Sequence, residues 1–145
     1  MKKTVAIVFG VVLLVSACAG ERPANLGVTN GNLAVCPDSP NCVSSQAVDE
    51  RHRIEPYATG DAPDATFARL AEIIRRRPDA TVVESTPTYL RVELHTTFFT
   101  DDAEFLLDRE RRLIQLRSAS RVGYSDLGLN RRRIEEVRTE FQRRK

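Results

Sequence analysis

The sequence has no apolar run long enough to cross a lipid bilayer as a helix. Its longest one, residues 4–15, follows Lys2 and Lys3 and contains no charge. A membrane-spanning helix needs about 20 apolar residues, so this run matches the shorter apolar segment of an export signal, which is removed from the mature protein. The alternative is a short anchor that stays uncleaved.

The residues after this run indicate where the leader is cut. Val15, Ser16 and Ala17 place one aliphatic and two small residues before Cys18, an order that resembles the lipobox of bacterial lipoproteins. The resemblance implies cleavage before Cys18 and acyl chains, such as palmitate, on that residue. Two or more chains anchor a protein stably. The sequence therefore predicts a lipoprotein whose partner is membrane lipid, held through Cys18.

The residues that follow the cysteine bear on the choice of membrane. Ala19 and Gly20 stand where an aspartate would signal retention in the inner membrane. By resemblance to enterobacterial sorting, this predicts a domain in the periplasm, anchored to the outer membrane in preference to the inner one.

Cysteine is scarce, and this limits the possible metal sites. Besides Cys18, only Cys36 and Cys42 are present. A pair in an exported chain predicts a disulfide, because the periplasm is oxidising. The alternative is a metal site with His52 or His95, but it lacks the second cysteine pair that such sites usually have. We expect neither a metal nor a cofactor.

The mature chain lacks a net charge. Without residues 1–17 it has 20 basic and 20 acidic residues, yet residues 18–108 carry a net charge of about −7 and residues 109–145 about +7. A neutral domain is a poor nucleic-acid binder, since such binders present a net basic face. The acidic half is expected to pack against the basic half instead.

Residue patterns predict one α+β domain, over residues 35–145, behind a flexible tether of residues 18–34. An apolar stripe of period 3.6 predicts a helix over 64–77, capped by Asp64. A second helix is predicted over 130–142, capped by Asn130. Alternation with period two predicts strands between them, at 81–85, 90–99, 103–107 and 112–118. We expect an antiparallel sheet of about four strands with both helices on one face, plus a disulfide-stapled N-terminal loop.

Three segments together resemble a known family. They are residues 36–45, residues 100–105 and residues 117–134, of which the last is the longest and most specific. On these segments the chain resembles the domain of unknown function 1499 family, small bacterial and plastid proteins that are often exported. The resemblance covers residues 34–143. It implies a single domain and an exported location, and no activity.

The segment 117–134 holds the most unusual polar residues. A loop over 118–129 has few core-forming residues, and the next helix starts with Arg131, Arg132 and Arg133, where the helix dipole is already positive. Either a bound anion or acidic side chains of the same chain compensate them, and we favour the latter. The candidate ligand site or structural polar network consists of Asp101, Asp102, Arg117, Ser118, Ser120, Arg121, Tyr124, Asp126, Asn130, Arg131 and Arg133.

Enzyme motifs are largely missing. The sequence has no nucleophile elbow, phosphate-cradling glycine loop, zinc-protease helix or dinucleotide fingerprint. Asp101 and Asp102 are adjacent, so in an extended chain they point to opposite sides. Turn formation and ion pairing are the favoured roles for both. A triad of Ser44 or Ser45 with a histidine and an aspartate is the weakest of these possibilities.

Two functional hypotheses remain. The first is a non-enzymatic envelope lipoprotein that binds a protein or an anionic ligand through residues 117–133. The second is an envelope hydrolase that acts on an anionic substrate through Asp101, Asp102 and the 117–133 segment. An enzyme is expected to bring the carboxylates and arginines together in an open pocket. A structural network is expected to bury them in mutual pairs.

Overall fold

The computed structural model describes residues 20–143, so the predicted leader and Cys18 lie outside the described residues. No helix among the described residues is long and apolar enough to cross a membrane. The elements in chain order are β1 (Cys42–Ser44), β2 (Tyr57–Ala58), α1 (Pro63–Arg75), β3 (Ala80–Ser85), β4 (Tyr89–His95), β5 (Thr100–Asp108), β6 (Leu113–Ser120) and α2 (Leu129–Arg143).

The strands form one antiparallel sheet of six strands, so the prediction of about four was too low. The order across the sheet is β1-β6-β5-β4-β3, and β2 also pairs with β6. The four longer strands are the predicted ones. The other two, β1 and β2, contain three and two residues. Strands this short show no alternation in the sequence, and they exist because β6 offers them its free edge.

One face of the sheet carries the hydrophobic core beneath both helices. Alternate residues along β4, β5 and β6 point to this face, and the apolar stripes predicted for the helices are buried against them. Tyr57 reaches into this layer, where its hydroxyl donates to the carbonyl oxygen of Ile134 at 2.7 Å. The core residues on the three strands are Leu90, Val92, Leu94, Ala103, Phe105, Leu107, Ile114 and Leu116.

Both helices start differently from the prediction. The N-cap of α1 is Ala62, without a side-chain hydrogen bond, and Pro63 occupies the first turn, which suits its fixed backbone. Asp64 lies inside that turn, where its Oδ1 accepts from Nη2 of Arg109 at 2.6 Å. In α2 the predicted cap, Asn130, lies within the helix.

Strand β5 begins earlier than expected, which changes the setting of the two aspartates. The turn before it is residues 96–99, in which the N–H of Thr96 donates to the carbonyl oxygen of Phe99 at 2.9 Å. Asp101 and Asp102 are therefore strand residues, and the prediction that they form a turn was wrong. Likewise β6 continues to Ser120, so the loop to α2 spans residues 121–128.

The second face of the sheet is covered by part of the predicted tether. Residues 20–33, here called the strap, run across it: Arg22 contacts Glu93 on β4 at 3.0 Å, and the N–H of Gly27 donates to Glu104 on β5 at 2.7 Å. Leu33 is buried. The strap thus packs on the domain instead of hanging free. This packing was not predicted from the sequence, because the contacts of the strap are mainly polar and follow no apolar period.

The predicted disulfide is present. Cys36 and Cys42 are joined, with a distance of 5.7 Å between their Cα atoms. Cys42 is the first residue of β1, so the disulfide ties the loop that follows the strap to the edge of the sheet.

Candidate functional site

Five of the eleven predicted site residues lie on the paired strands β5 and β6, and alternation separates the residues of these strands into two groups. Asp101 is opposite Ser120 in the pairing, whereas Glu104 is opposite Arg117. Asp101 and Ser120 point toward the helices, while Asp102, Glu104 and Arg117 point toward the strap. The expectation that adjacent aspartates face opposite sides is confirmed by their partners, which lie in different layers.

On the helix side, a network of uncharged groups and one carboxylate fixes the start of α2. The carboxylate of Asp126 accepts from the N–H of Gly128 at 2.9 Å and from that of Asn130 at 2.8 Å. The side chain of Asn130 is buried, donates to Ser120 at 3.0 Å and accepts from the hydroxyl of Ser118. Asp126, not Asn130, therefore caps this helix and satisfies its first N–H groups.

Arg133 forms a buried ion pair with Asp101. Its Nη1 lies 2.8 Å from Oδ2 of Asp101, and its Nη2 donates to the carbonyl oxygen of His95 at 2.8 Å. Burial raises the pKa of Asp101; Ser120 and Arg133 oppose this shift, and nearby Asp126 adds to it. The prediction that an acidic side chain compensates the arginines at the helix start is confirmed for Arg133.

The other two arginines at the helix start behave differently. Arg131 donates to the carbonyl oxygens of Arg53 at 2.8 Å and Arg51 at 3.0 Å, so main-chain oxygens take the place of the acidic partner that we expected for it. Arg132 is exposed. Neither guanidinium lines the hollow described below.

On the strap side, Arg121 bridges two carboxylates. Its Nε donates to Asp102 at 2.7 Å, and its Nη2 donates to Glu93 at 2.6 Å. The hydrogen bonds to Asp102 raise the pKa of Arg121 further, against the effect of burial. Burial alone would raise the pKa of Glu93, but hydrogen bonds from Arg121 and Arg22 outweigh burial and lower it. The guanidinium of Arg121 and the carboxylates of Asp102 and Glu93 are therefore paired with one another.

A second buried pair lies deeper beneath the strap. Nη1 of Arg117 is 3.6 Å from Oε2 of Glu104, and both side chains are buried. The other oxygen, Oε1, accepts from the hydroxyl of Tyr89 and from the N–H of Gly27, each at 2.7 Å. Burial lowers the pKa of Arg117 despite the carboxylates beside it. The strap thus supplies a hydrogen bond to a charge that would otherwise face water.

An open hollow of about 420 Å³ lies beside the loop 121–128. Its polar lining residues are two aspartates and two serines: Asp101, Ser120, Ser125 and Asp126. Its apolar lining residues, here called the rim, are Phe99, Val122, Leu127 and Leu129. Tyr124, a predicted site residue of the same loop, is exposed and does not line it. The lining residues are Phe99, Asp101, Ser120, Val122, Gly123, Ser125, Asp126, Leu127 and Leu129.

The apolar residues of this rim were missed in the sequence. Phe99 was predicted to end a strand, and Val122 and Leu127 were counted within a polar loop. The only signal was the presence of large apolar residues in segments that contribute nothing to the core: Phe98, Phe99 and Leu127 are all exposed. Exposed apolar residues that cluster together mark binding surfaces more often than isolated ones do.

Only part of this arrangement fits an enzyme. Asp101 and Asp126 share an open hollow, as an enzyme requires, but Asp102, Arg117 and Arg121 are absent from it and are paired on the other face. The histidines are engaged elsewhere: His52 contacts Asp49 and the carbonyl of Ser39. His95 lies between the hydroxyls of Thr81 and Thr100. Within residues 20–143, no group of three potential metal ligands occurs.

The sequence matches one protein family, described as a protein of unknown function (DUF1499), over residues 32–141. This stretch contains all six strands, the disulfide and the loop 121–128. No curated protein and no solved structure matches the chain. Since the match spans most of its length, the chain belongs to the DUF1499 family.

Proposed function

We propose that this chain is a lipoprotein of the bacterial cell envelope, anchored through acylated Cys18, and that its domain is a binding module and not an enzyme. The order of charged, apolar and small residues before Cys18 supports export and acylation. The disulfide between Cys36 and Cys42 suits an oxidising compartment. The working surface is the hollow beside the loop 121–128.

One observation carries the choice of a binding module. The hollow is open, yet the carboxylates in it are already held: Asp101 by Arg133, and Asp126 by the first N–H groups of α2. A catalytic acid or base must exchange protons with a substrate, whereas a binding site needs a fixed surface with a few oriented polar groups among apolar ones. The hollow resembles such a binding site, because its polar groups are fixed among apolar ones.

The lining also favours one class of ligand. The helix N–H groups that would hold an anion are occupied by Asp126, and the guanidinium of Arg133 is occupied by Asp101. Besides the two carboxylates, the lining consists of two serines, Ser120 and Ser125, one glycine and the apolar rim. We therefore favour an amphiphilic ligand, apolar with hydrogen-bond donors, over the anionic ligand that the arginines suggested.

A hydrolase remains the second candidate, in a reduced form. The raised pKa of Asp101, which arises first from burial, is typical of a catalytic acid, and Asp126 lies in the same hollow. Asp102 and Arg117 cannot take part, because they face the strap. Any such enzyme would have to work with the polar residues of the hollow, which are Asp101, Ser120, Ser125 and Asp126.

Photo-crosslinking in intact cells tests the binding surface. A benzophenone amino acid in place of Leu127, at the rim, is expected to give an adduct of discrete mass. The same group in place of Glu110, in the turn at the other end of β5 and β6, serves as the control and is expected to give none. Equal labelling at both positions, or none at position 127, would contradict a binding role for the hollow.

The same experiment separates the two candidates when Asp101 is changed to Asn. For a binding module, the mass of the adduct stays the same in the Asp101→Asn protein. For a hydrolase, the variant traps uncut substrate, and its adduct is heavier than that of the wild type.

A further inference from the structure

Of the seven large apolar side chains that are exposed among residues 20–143, four lie in two neighbouring loops at one end of the sheet. Phe98 and Phe99 are 68% and 50% exposed in the turn before β5, and Tyr124 and Leu127 are 71% and 90% exposed in the loop before α2. The two loops are neighbours, because the start of β5 pairs with the end of β6. With Val122, which lines the hollow beside Phe99 and Leu127, these residues form what we call the apolar patch.

The start of the described chain lies at this same end. Gly20 packs so tightly on the loop 121–128 that a Cβ on it would lie 2.8 Å from Cβ of Arg121 and 2.8 Å from Cγ1 of Val122. Two residue steps separate Gly20 from Cys18. A trans peptide chain covers about 3.8 Å per step, so the main chain between Gly20 and an anchor on Cys18 spans at most about 8 Å.

We propose that the apolar patch docks on the lipid bilayer that holds the anchor, so that the hollow opens onto the membrane surface. The inference rests on the proposed acylation of Cys18 and adds the orientation of the domain. An acylated residue this close to the loop holds the patch at the bilayer surface, because no long tether intervenes. Tyrosine favours the interface between hydrocarbon and water, which suits Tyr124. Phenylalanine and leucine form the apolar faces that peripheral segments bury in this boundary, which suits Phe98 and Phe99.

The conformation of Leu127 points to the same role. Its φ is +52°, a left-handed backbone that leucine rarely adopts and that glycine or asparagine would favour. Its side chain is also almost fully exposed. Neither backbone preference nor core packing accounts for a leucine here, whereas insertion into a bilayer does. The strain is thus explained by what the side chain contacts outside the chain.

The position of the strap favours the bilayer over a second copy of the chain as the occupant of the patch. The strap runs from Gly20 at the patch to residues 30–32, which border the far end of β5 beside Asp108. The anchor therefore enters at the patch end and not at the opposite one. A domain held this way presents its patch to lipid before any other surface, and a partner protein would have to compete with that contact.

The chain contains no tryptophan. A single introduced tryptophan therefore reports directly on the orientation of the domain at the bilayer. The acylated Leu127→Trp protein is reconstituted in vesicles of phosphatidylethanolamine and phosphatidylglycerol, with and without brominated acyl chains. The matched control, Glu110→Trp, places the indole beyond the other end of β5 and β6, whose seven paired steps from Asp101 to Asp108 span about 23 Å. A second reporter, Phe98→Trp, covers the case in which the Leu127 variant does not fold.

On vesicles, the Leu127→Trp and Phe98→Trp emission is expected to shift to the blue and to lose most of its intensity to brominated chains, because interfacial side chains lie about 5–10 Å into the headgroup boundary. The Glu110→Trp emission is expected to stay that of an indole in water. Protein that floats with the vesicles but shows no quenching at either patch position would overturn the docking and leave the anchoring intact. Protein that does not float would overturn the anchoring, and the docking with it. A blue shift without vesicles that grows with protein concentration would assign the patch to a second copy instead.

Discussion

At the scale of single residues, the buried ion pairs decide how the arginines are understood. Moving charges out of water is unfavourable, and the attraction within a buried ion pair offsets this only when the partners are close and well oriented. Arg133 with Asp101 meets this condition, at 2.8 Å, and so does Arg121 with Asp102, at 2.7 Å. These guanidinium groups are occupied within the chain, which is why we regard them as scaffold and not as an anion site.

Arg133→Ala tests this interpretation. Removing one member of a buried pair leaves the other charge uncompensated, so we expect a loss of about 3–5 kcal/mol in the free energy of unfolding, measured with urea. Arg132→Ala, on the exposed neighbour, is the control and should change it by less than about 0.5 kcal/mol. Phosphate at fixed ionic strength should leave the wild-type melting temperature unchanged. A clear rise with phosphate would mean that an anion site exists after all.

Glu93 gives a prediction for pH. Its pKa is lowered below the usual 4.5, since hydrogen bonds from Arg121 and Arg22 outweigh burial. A carboxyl whose pKa is lower in the folded state stabilises the fold above its unfolded pKa, and this stabilisation is lost as the pH falls through the folded value. Wild type should therefore exceed Glu93→Gln in unfolding free energy at pH 7, and the difference should shrink toward pH 3. A difference that does not depend on pH would contradict this.

At the scale of elements, the loop 121–128 and the start of α2 form one unit. Asp126 ends the loop's polar stretch and caps the helix, while Leu127 and Gly128 both have positive φ and turn the chain between them. The geometry that exposes Leu127 is thus the one that presents the N–H groups to Asp126. The helix that supports the hollow depends on this cap.

Asp126→Ala should destabilise the protein by about 1 kcal/mol, the usual value for a lost N-cap. Asp126→Asn retains an acceptor oxygen and should lose less. Ser125→Ala removes only a longer hydrogen bond, of 3.3 Å, to the N–H of Leu127, and serves as the control. Thermal melts of the three variants check the order. If Asp126→Ala matched Ser125→Ala, the cap would lie elsewhere.

Elements with a clear period were predictable from the sequence, and those without one were not. The stripes Phe67–Leu70–Ile74 and Ile134–Val137–Phe141 located the helices, and alternation located β3 to β6. In contrast, β1 and β2 exist through pairing with β6, a contact that no local pattern records. For the same reason the strap was predicted to be a tether, since its link to Glu104 depends on a partner 77 positions away.

Three polar residues of the hollow, Asp101, Ser120 and Asp126, were among the candidates from the sequence, but its apolar residues and its arrangement were not predicted. Alternation was enough to place Asp101 and Asp102 on opposite faces. Which arginine meets which carboxylate depends on the register of β5 and β6 and on the crossing of α2, so Arg131 was assigned an acidic partner that it does not have. The hollow was missed because its rim joins Phe99 to residues more than 20 positions later in the chain.

At the scale of the whole molecule, the division of charge explains how the layers hold together. The acidic half and the basic half meet in ion pairs across the domain, among them Arg109 with Asp64 and Arg112 with Asp61 near the start of α1. The apolar patch is a separate surface, at the end where the strap begins. In the proposed orientation, the anchor, the start of the strap and the patch lie at the same end, and the domain would lie close to the membrane.

The central claim is that Cys18 fixes this domain to a membrane, and metabolic labelling tests it most directly. Cells that produce the wild-type chain are fed a clickable palmitate analogue, alongside cells with Cys18→Ser and cells with both Cys36→Ser and Cys42→Ser. We predict label in the membrane fraction for the wild type and for the double variant, and none for Cys18→Ser. Label that persists in the Cys18→Ser protein, or a wild type without label, would contradict the account.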